Sequence, residues 1–235
     1  MSLSNTIVRG DCLDVMKEIP DGVADLILTD PPYGMNYRSG FRKEGDPIRR
    51  EIENDNQSYL WQWSKDITAE MARILKPRGV AYIFCTFDRS DYQSYSIWSE
   101  ATRSSLKLKN CLIWDKQYFA LGWNYRYQHE FILYAVKGAE TAGTWNGGHS
   151  QSNILRFSRV SAAKMLHPTH KPGDLISLLI ANSSNPGDLI VDPFLGSGET
   201  AVQAKKLGRR YVGIELDAEH VKVAQERLWG PHINN

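Results

Sequence analysis

Seven short runs of apolar, β-prone residues recur along the chain, at 6–9, 24–29, 80–85, 111–115, 130–136, 188–192 and 210–215. Several are apolar throughout instead of alternating, the pattern of parallel strands covered on both faces. Helical patterns lie between them. Leu60, Trp63, Ile67, Met71 and Ile74 recur at spacings of three and four and stop at Lys76-Pro77-Arg78-Gly79, a natural terminator. Leu175, Leu178 and Leu179 follow Pro172, which suits the edge of a helix start. Val221, Ala224 and Leu228 follow Asp217, which suits an N-cap. Over 235 residues this alternation predicts an α/β, doubly wound, mostly parallel sheet in a single domain, long enough to bury a substantial core.

Composition removes some alternatives. The longest apolar stretches, 80–85 and 131–136, have six residues, whereas a membrane-spanning helix needs about 20, so no membrane span is expected. The first residues show neither a basic region nor an apolar core, so no signal peptide is visible. Cys12, Cys85 and Cys111 sit far apart without a Cys-x-x-Cys pair. That argues against a disulfide framework or a cysteine zinc site and fits a reducing cytoplasm. A net charge of +1 neither demands nor excludes nucleic acid, since a basic patch can hide in a balanced total.

Two polar segments interrupt the alternation, 34–57 and 138–165, both rich in Gly, Ser, Arg and Asn. Loops of that length in a compact domain are usually functional or mobile. Between Thr141 and Lys171 stand Arg156, Arg159, Lys164 and Lys171 with no Asp or Glu. A solvated loop and a phosphate-contacting surface both fit that composition.

Three sites carry chemistry. In Asp192-Pro193-Phe194-Leu195-Gly196-Ser197-Gly198-Glu199-Thr200-Ala201, an apolar strand runs into a glycine turn that opens a helix. The glycines let backbone approach a ligand, and the helix start offers free N–H groups. Glu215 ends the next strand, where an acid suits ribose hydroxyls, so this half points to an adenosine-containing cofactor without saying which. Asp30-Pro31-Pro32-Tyr33 follows the strand 24–29. Its two prolines fix the backbone and remove N–H donors, leaving carbonyls, a carboxylate and a ring suited to a planar aromatic amine. Asp30 and a backbone carbonyl would accept the amino hydrogens, and Tyr33 would stack on the ring. His167-Pro168-Thr169-His170-Lys171-Pro172 contains two histidines but no accompanying third ligand cluster, so no metal is expected. A rigid loop presenting Lys171 and backbone groups to a carboxylate is the preferred reading.

At these residues the chain resembles the S-adenosylmethionine-dependent amino-methyltransferases of DNA, in their permuted beta group. An Asp-Pro-Pro-Tyr motif, a His-Pro-x-x-Lys-Pro segment and an Asp-Pro-Phe-x-Gly-Ser-Gly loop occur in that order, and the likeness covers essentially the whole chain. It implies a seven-stranded, Rossmann-like methyltransferase sheet, circularly permuted, so that the termini lie close together. A catalytic half would span 6–136 and a cofactor half 166–229, with recognition insertions at 34–57 and 138–165. By resemblance Asp192, Phe194, Gly196, Ser197, Gly198 and Thr200 surround the methionine end of S-adenosylmethionine, with His167, Thr169 and Lys171 nearby. Glu215 would hold the ribose and Leu216 pack on the adenine. Asp11 and Cys12 would form the element that receives the adenine amino group, and Asp30 would border both cofactor and target. Glu199 and His170 depart from the family's usual threonine and glutamine.

The implied reaction is methyl transfer to the N6 amine of an adenine turned out of DNA, with Asp30, Pro31, Pro32 and Tyr33 catalytic. Methylation of cytosine N4 is the alternative, although its enzymes usually carry Ser in place of Asp30. Carbon-5 methylation is excluded because Asp11, Phe84 and Asn110, never proline, precede the cysteines. An NAD-dependent oxidoreductase would explain the glycine turn and Glu215 but not residues 30–33. A non-catalytic DNA-binding protein would leave Asp30 and Tyr33 without a purpose. DNA contacts are expected from Arg38, Arg42, Lys43, Arg49, Arg50, Arg156 and Arg159. No separate recognition domain is visible, so a homodimer, a recognition subunit or a restriction partner could complete the assembly.

Overall fold

The computed structural model describes residues 4–33, 57–88, 93–120, 122, 124–159 and 171–230. Eight strands form one sheet: β1 (Thr6–Arg9), β2 (Ala24–Thr29), β3 (Leu75–Cys85), β4 (Lys107–Asp115), β5 (His129–Val136), β6 (Ile154–Arg156), β7 (Leu189–Asp192) and β8 (Arg210–Glu215). Six helices connect or flank them: α1 (Cys12–Lys17), α2 (Gln57–Ile74), α3 (Ser94–Ser105), α4 (Gly173–Ser183), α5 (Glu199–Lys206) and α6 (Ala218–Trp229). The strand order is β1-β8-β7-β2-β3-β5-β4-β6. β5 alone runs against its neighbours, pairing antiparallel with β3 and β4.

The doubly wound architecture follows from strands that are apolar on both faces. One core lies between the sheet and α1, α2 and α3, around Ile27, Leu60, Trp63, Ile67, Met71 and Trp98. A second lies between the sheet and α4, α5 and α6, around Leu26, Tyr82, Leu175, Leu179, Ala204 and Leu228. The five-residue stripe expected on α2 is the buried face of that helix. Asp217 caps α6 by accepting from the Glu219 and His220 backbone N–H groups, and Pro172 stands at the N-cap of α4.

All seven expected strands are present, and an eighth joins them. β6 comes from within the polar 138–165 segment and pairs parallel to the outer edge of β4, Ile113 opposite Ile154. The first half of that segment is pinned at the end of the sheet remote from Asp30. Gly143 N donates to Arg78 O at 2.9 Å, and Asn146 N donates to Asn182 O at 2.7 Å. Of its described residues, only the later ones, from β6 to Arg159, return to the Asp30 end. The Lys76–Gly79 stop also takes a different form. Leu75 already faces Ala24, four residues then bulge, and Val80 resumes opposite Leu26. Arg78 turns the bulge in the left-handed region, at φ 66°.

β1 lies beside β8, and α6 packs against both. The first strand and the last helix are therefore neighbours. Among the described residues no helix is long and apolar enough to cross a membrane.

Candidate active site

The sheet changes its winding direction between β7 and β2. α5 carries the chain from β7 outward to β8, and α2 carries it from β2 the other way to β3. Ligands in open α/β sheets bind at the carboxyl ends of strands at such a point. Asp192 ends β7 and Asp30 follows β2, so the two motifs meet there. The Thr29 hydroxyl donates to Asp192 Oδ1 at 2.8 Å and ties the two strand ends together.

On the β7 side the glycine turn is built tightly. Asp192 Oδ1 also accepts from Phe194 N at 3.0 Å. Burial pushes its carboxyl up to about 7, against hydrogen bonds from Thr200, Thr29 and Phe194 N. Gly198, at φ +89°, is the N-cap of α5; a Cβ there would lie 2.7 Å from Ala224 Cβ, so only glycine fits. Gly196 N donates to Glu215 Oε2 at 2.7 Å, which fixes the acid at the end of β8 against the turn. Glu215 Oε1 accepts from Asp217 N at 2.9 Å. Leu216 follows, half-buried. Ser197 and Thr200 are buried, and half-buried Phe194 packs edge-on against Trp63.

β1 completes this side. Gly10 N donates to Glu215 O at 3.1 Å, which sets Asp11 beside the end of β8. Asp11 caps α1 through Leu13 N at 2.9 Å. The Cys12 thiol is held far above its usual range, mainly by burial, and is a packing group. Glu199, the departure from the family pattern, ties α5 to α6. It pairs with Arg227, and its Oε1 accepts from Gln203 Nε2 at 2.5 Å.

On the β2 side both oxygens of Asp30 are engaged. The Tyr33 hydroxyl donates to Oδ1 at 2.5 Å, and Lys171 Nζ lies 2.7 Å from Oδ2. Burial raises the Asp30 carboxyl above its usual range, while Lys171 opposes the rise. Lys171 is only 8% exposed; it lies 5.1 Å from the Phe84 ring, 5.7 Å from Tyr33 and 5.8 Å from Trp114. Burial disfavours its charge, but Asp30 and Glu130 outweigh that and hold the ammonium above its usual range. Pro31 and Pro32 are buried. The Pro32 carbonyl accepts from Trp98 Nε1 at 3.1 Å, so it anchors the motif to α3.

The family profile for DNA methylases matches residues 24–226, spanning both motifs. The chain belongs to the DNA methylase family. It is 30% identical over 255 residues to the type II methyltransferase M.HinfI of Haemophilus influenzae, covering 95% of this chain and 68% of that one. To the DNA adenine methyltransferase YhdJ of Escherichia coli (strain K12) it is 30% identical over 258 residues, covering 96% and 83%. Among solved structures, the M1.HpyAVI–SAM complex superposes with a TM-score of 0.72 at 24% identity, covering 95% and 98% of the two chains. The cytosine-N4-specific PvuII DNA methyltransferase gives 0.71 at 18% identity, covering 97% and 87%. These two share the fold.

In this methylase the structure brings Asp11, Cys12, Asp30, Pro31, Pro32, Tyr33, Lys171, Asp192, Phe194, Gly196, Ser197, Gly198, Thr200, Glu215 and Leu216 to one end of the sheet. His167, Thr169, Arg38, Arg42, Lys43, Arg49 and Arg50 lie outside the described residues. Arg156 is on β6, its Nε 3.6 Å from Asp115 Oδ2, and Arg159 stacks 3.7 Å over the Tyr118 ring. Exposed Phe87, Tyr118, Phe119 and Tyr125 follow the carboxyl end of β3 or of β4, the ends that point the same way as β2. Sequence reasoning missed Glu130 and Lys116. Glu130 Oε2 stands 3.1 Å from Lys171 Nζ, and Lys116 Nζ stands 2.6 Å from Glu130 Oε1. The one signal for Glu130 is a carboxylate standing directly before the apolar run 131–136.

Proposed function

We propose that this methylase transfers the methyl group of S-adenosylmethionine to the exocyclic N6 of an adenine turned out of duplex DNA. The observation that carries this reading is the Asp30 carboxylate, set between Tyr33 and Lys171 and one strand away from the buried Asp192. When bound, S-adenosylmethionine supplies a methyl on a sulfonium whose leaving group is a neutral thioether. The glycine turn leaves room for a ligand to approach the backbone of Gly196, Ser197 and Gly198. Asp192, ionised above about pH 7, suits the ammonium of a methionine moiety. Glu215 suits ribose hydroxyls, Leu216 an adenine face and Asp11 its amino group, with Phe194 and Thr200 closing the pocket and His167 and Thr169 assigned beside it.

Asp30 and the Pro31 carbonyl accept the two hydrogens of the target amine and line its nitrogen up with the methyl. Tyr33 releases Asp30 and stacks on the base, offsetting part of the unstacking cost of a few kcal/mol. Adenine is favoured over cytosine because Asp30 stands where N4 enzymes usually carry serine, and because YhdJ is named an adenine methyltransferase. Arg156 and Arg159 contact phosphates, together with Arg38, Arg42, Lys43, Arg49 and Arg50. The placement of β1 beside β8, with α6 packed against both, supports a circularly permuted chain order. The type II name of M.HinfI supports a restriction-modification setting; the proposal also places the enzyme in the cytoplasm, with a homodimer or partner subunit adding recognition surface.

Incubation with S-adenosylmethionine carrying a labelled methyl and with unmethylated DNA, followed by nucleoside mass spectrometry, tests this. Labelled N6-methyldeoxyadenosine is the expected product. Labelled N4-methyldeoxycytidine would overturn the base assignment, and absence of label in DNA would overturn the substrate.

A further inference from the structure

Behind Asp30 runs a line of alternating charges, buried at Lys171 and half-buried elsewhere: Asp30, Lys171, Glu130, Lys116. The spacings are 2.7 Å from Asp30 to Lys171, 3.1 Å from Lys171 to Glu130 and 2.6 Å from Glu130 to Lys116. Glu130 is the second residue of β5, opposite Trp114 of β4, and its side chain is 14% exposed. Its Oε1 takes Lys116, whereas Oε2 is buried and makes no hydrogen bond among the described residues, although Lys171 Nζ is within ion-pair distance. The one partner of that buried oxygen is an ammonium already paired, more closely, with Asp30.

The charge pattern supplies a function. In methyl transfer the N6 lone pair forms a bond to the methyl carbon while the carbon–sulfur bond breaks and its electrons go to sulfur. The nitrogen becomes cationic and then loses a proton, through Asp30, to water. A carboxylate beside that nitrogen helps only while its charge is expressed. Lys171 paired with Asp30 alone would cancel it. The four groups of the line are neutral together, but an ammonium shared between two carboxylates cancels less of the charge on Asp30 than one paired with Asp30 alone.

We propose that Glu130 is a positioning residue for methyl transfer: it holds the second side of the Lys171 ammonium, so that Lys171 orients Asp30 without neutralising it. Glu130 Oε2, already 3.1 Å from Lys171 Nζ, takes a larger share of the ammonium when Asp30 turns an oxygen to the target amine. Lys116 balances Glu130 from the outer side, where it is 18% exposed. This inference rests on Asp30 being the group that meets the target amine.

Single-turnover methylation, measured from pH 5 to 9 on the full chain, tests it through Glu130→Gln, Glu130→Asp and Lys116→Met. The charged and titratable groups facing Asp30 among the described residues are Lys171, Glu130 and Tyr33, with Asp192 on β7 and Cys85 at the end of β3. Glu130→Gln is expected to slow the plateau rate about ten- to a hundredfold with cofactor affinity within about twofold of wild type. Its acid limb moves down by about one pH unit, because a negative neighbour of Asp30 is gone. Lys116→Met moves the limb the opposite way, and Glu130→Asp recovers part of the rate. A Glu130→Gln enzyme with an unmoved limb or an unchanged plateau would overturn the proposal, as would limbs that shift in the same direction in both variants. If Glu130→Gln does not fold, the limb of Lys116→Met decides. Nucleoside analysis of the wild-type product separates the two readings: label on cytosine would sink the adenine assignment alone, while equal rates for wild type and Glu130→Gln would sink the role of Glu130 alone.

Discussion

Replacing Asp192 by asparagine should make the ligand-free protein more stable at alkaline pH and weaken its hold on S-adenosylmethionine. The Asp192 carboxyl is 4% exposed, and its pKa is raised from 3.8 to about 7, chiefly by burial. A folded-state pKa above the unfolded one means stability that is complete below the unfolded value and is lost as pH rises through the folded one. Roughly three pH units at about 1.4 kcal/mol each give a cost of about 4 kcal/mol once the group is ionised. Asparagine imitates the neutral acid. Its oxygen can still accept from Thr29 and Phe194 N, and its amide can donate to the Thr200 hydroxyl. Urea unfolding of both proteins from pH 4 to 8.5 reads the difference directly. Near pH 4 the two should match within about 1 kcal/mol, and by pH 8 the variant should lead by up to about 4 kcal/mol. The same substitution removes the negative charge that, in the proposed reading, meets the methionine ammonium, so S-adenosylmethionine affinity at pH 8 should fall about tenfold or more. A stability difference that stays flat with pH would refute the buried-carboxylate argument.

Asp30→Ala should abolish methyl transfer while a calorimetric titration shows cofactor affinity mostly retained; near-normal turnover would discard the assigned chemistry. Arg156→Ala with Arg159→Ala should weaken DNA binding and reduce the slope of log K against log salt by up to about 2, one unit or slightly less per phosphate contact. An unchanged slope would move the contact elsewhere. Gly198→Ala forces a side chain at φ +89° to within 2.7 Å of Ala224 Cβ. Thermal unfolding should show a loss of about 2–4 kcal/mol, and a neutral result would mean that the turn adapts.

The parts of the fold that were plain in the sequence are those where each residue obeys one simple pressure. All four residues of β7 are buried, and three of them, Leu189, Ile190 and Val191, form an apolar run that reads as a strand. β1, β2 and β8 emerge with the bounds the sequence implied. β6 is invisible for the opposite reason: a short edge strand whose Ile154 and Arg156 face solvent has no pattern to show. The early part of β4, Lys107–Asn110, is likewise mostly polar and exposed. At the site, each motif announces itself because proline, glycine and aspartate act locally. Glu130 and Lys116 do not, since their meaning arises only when the β4–β5 hairpin brings them to Lys171 from a distant part of the chain. Glu199 shows a further limit: its motif position suggests a ligand contact, yet its carboxylate answers to Arg227 on another helix.

The join between β2 and β7 is short. Leu26 faces Ile190 and Ile27 faces Val191, and beyond them the Thr29–Asp192 hydrogen bond carries the connection to the strand ends. In the proposed reaction, donor and acceptor would stand on opposite sides of that seam, their separation gauged by very little material. A hydroxyl on one strand acts as the spacer between two chemical jobs. Loss of that spacer, as in Thr29→Val, would spoil the alignment of methyl and nitrogen well before it loosened the protein as a whole, because both cores would remain intact on either side. A catalyst assembled this way is tuned at its spine, by residues that touch neither of the molecules it joins.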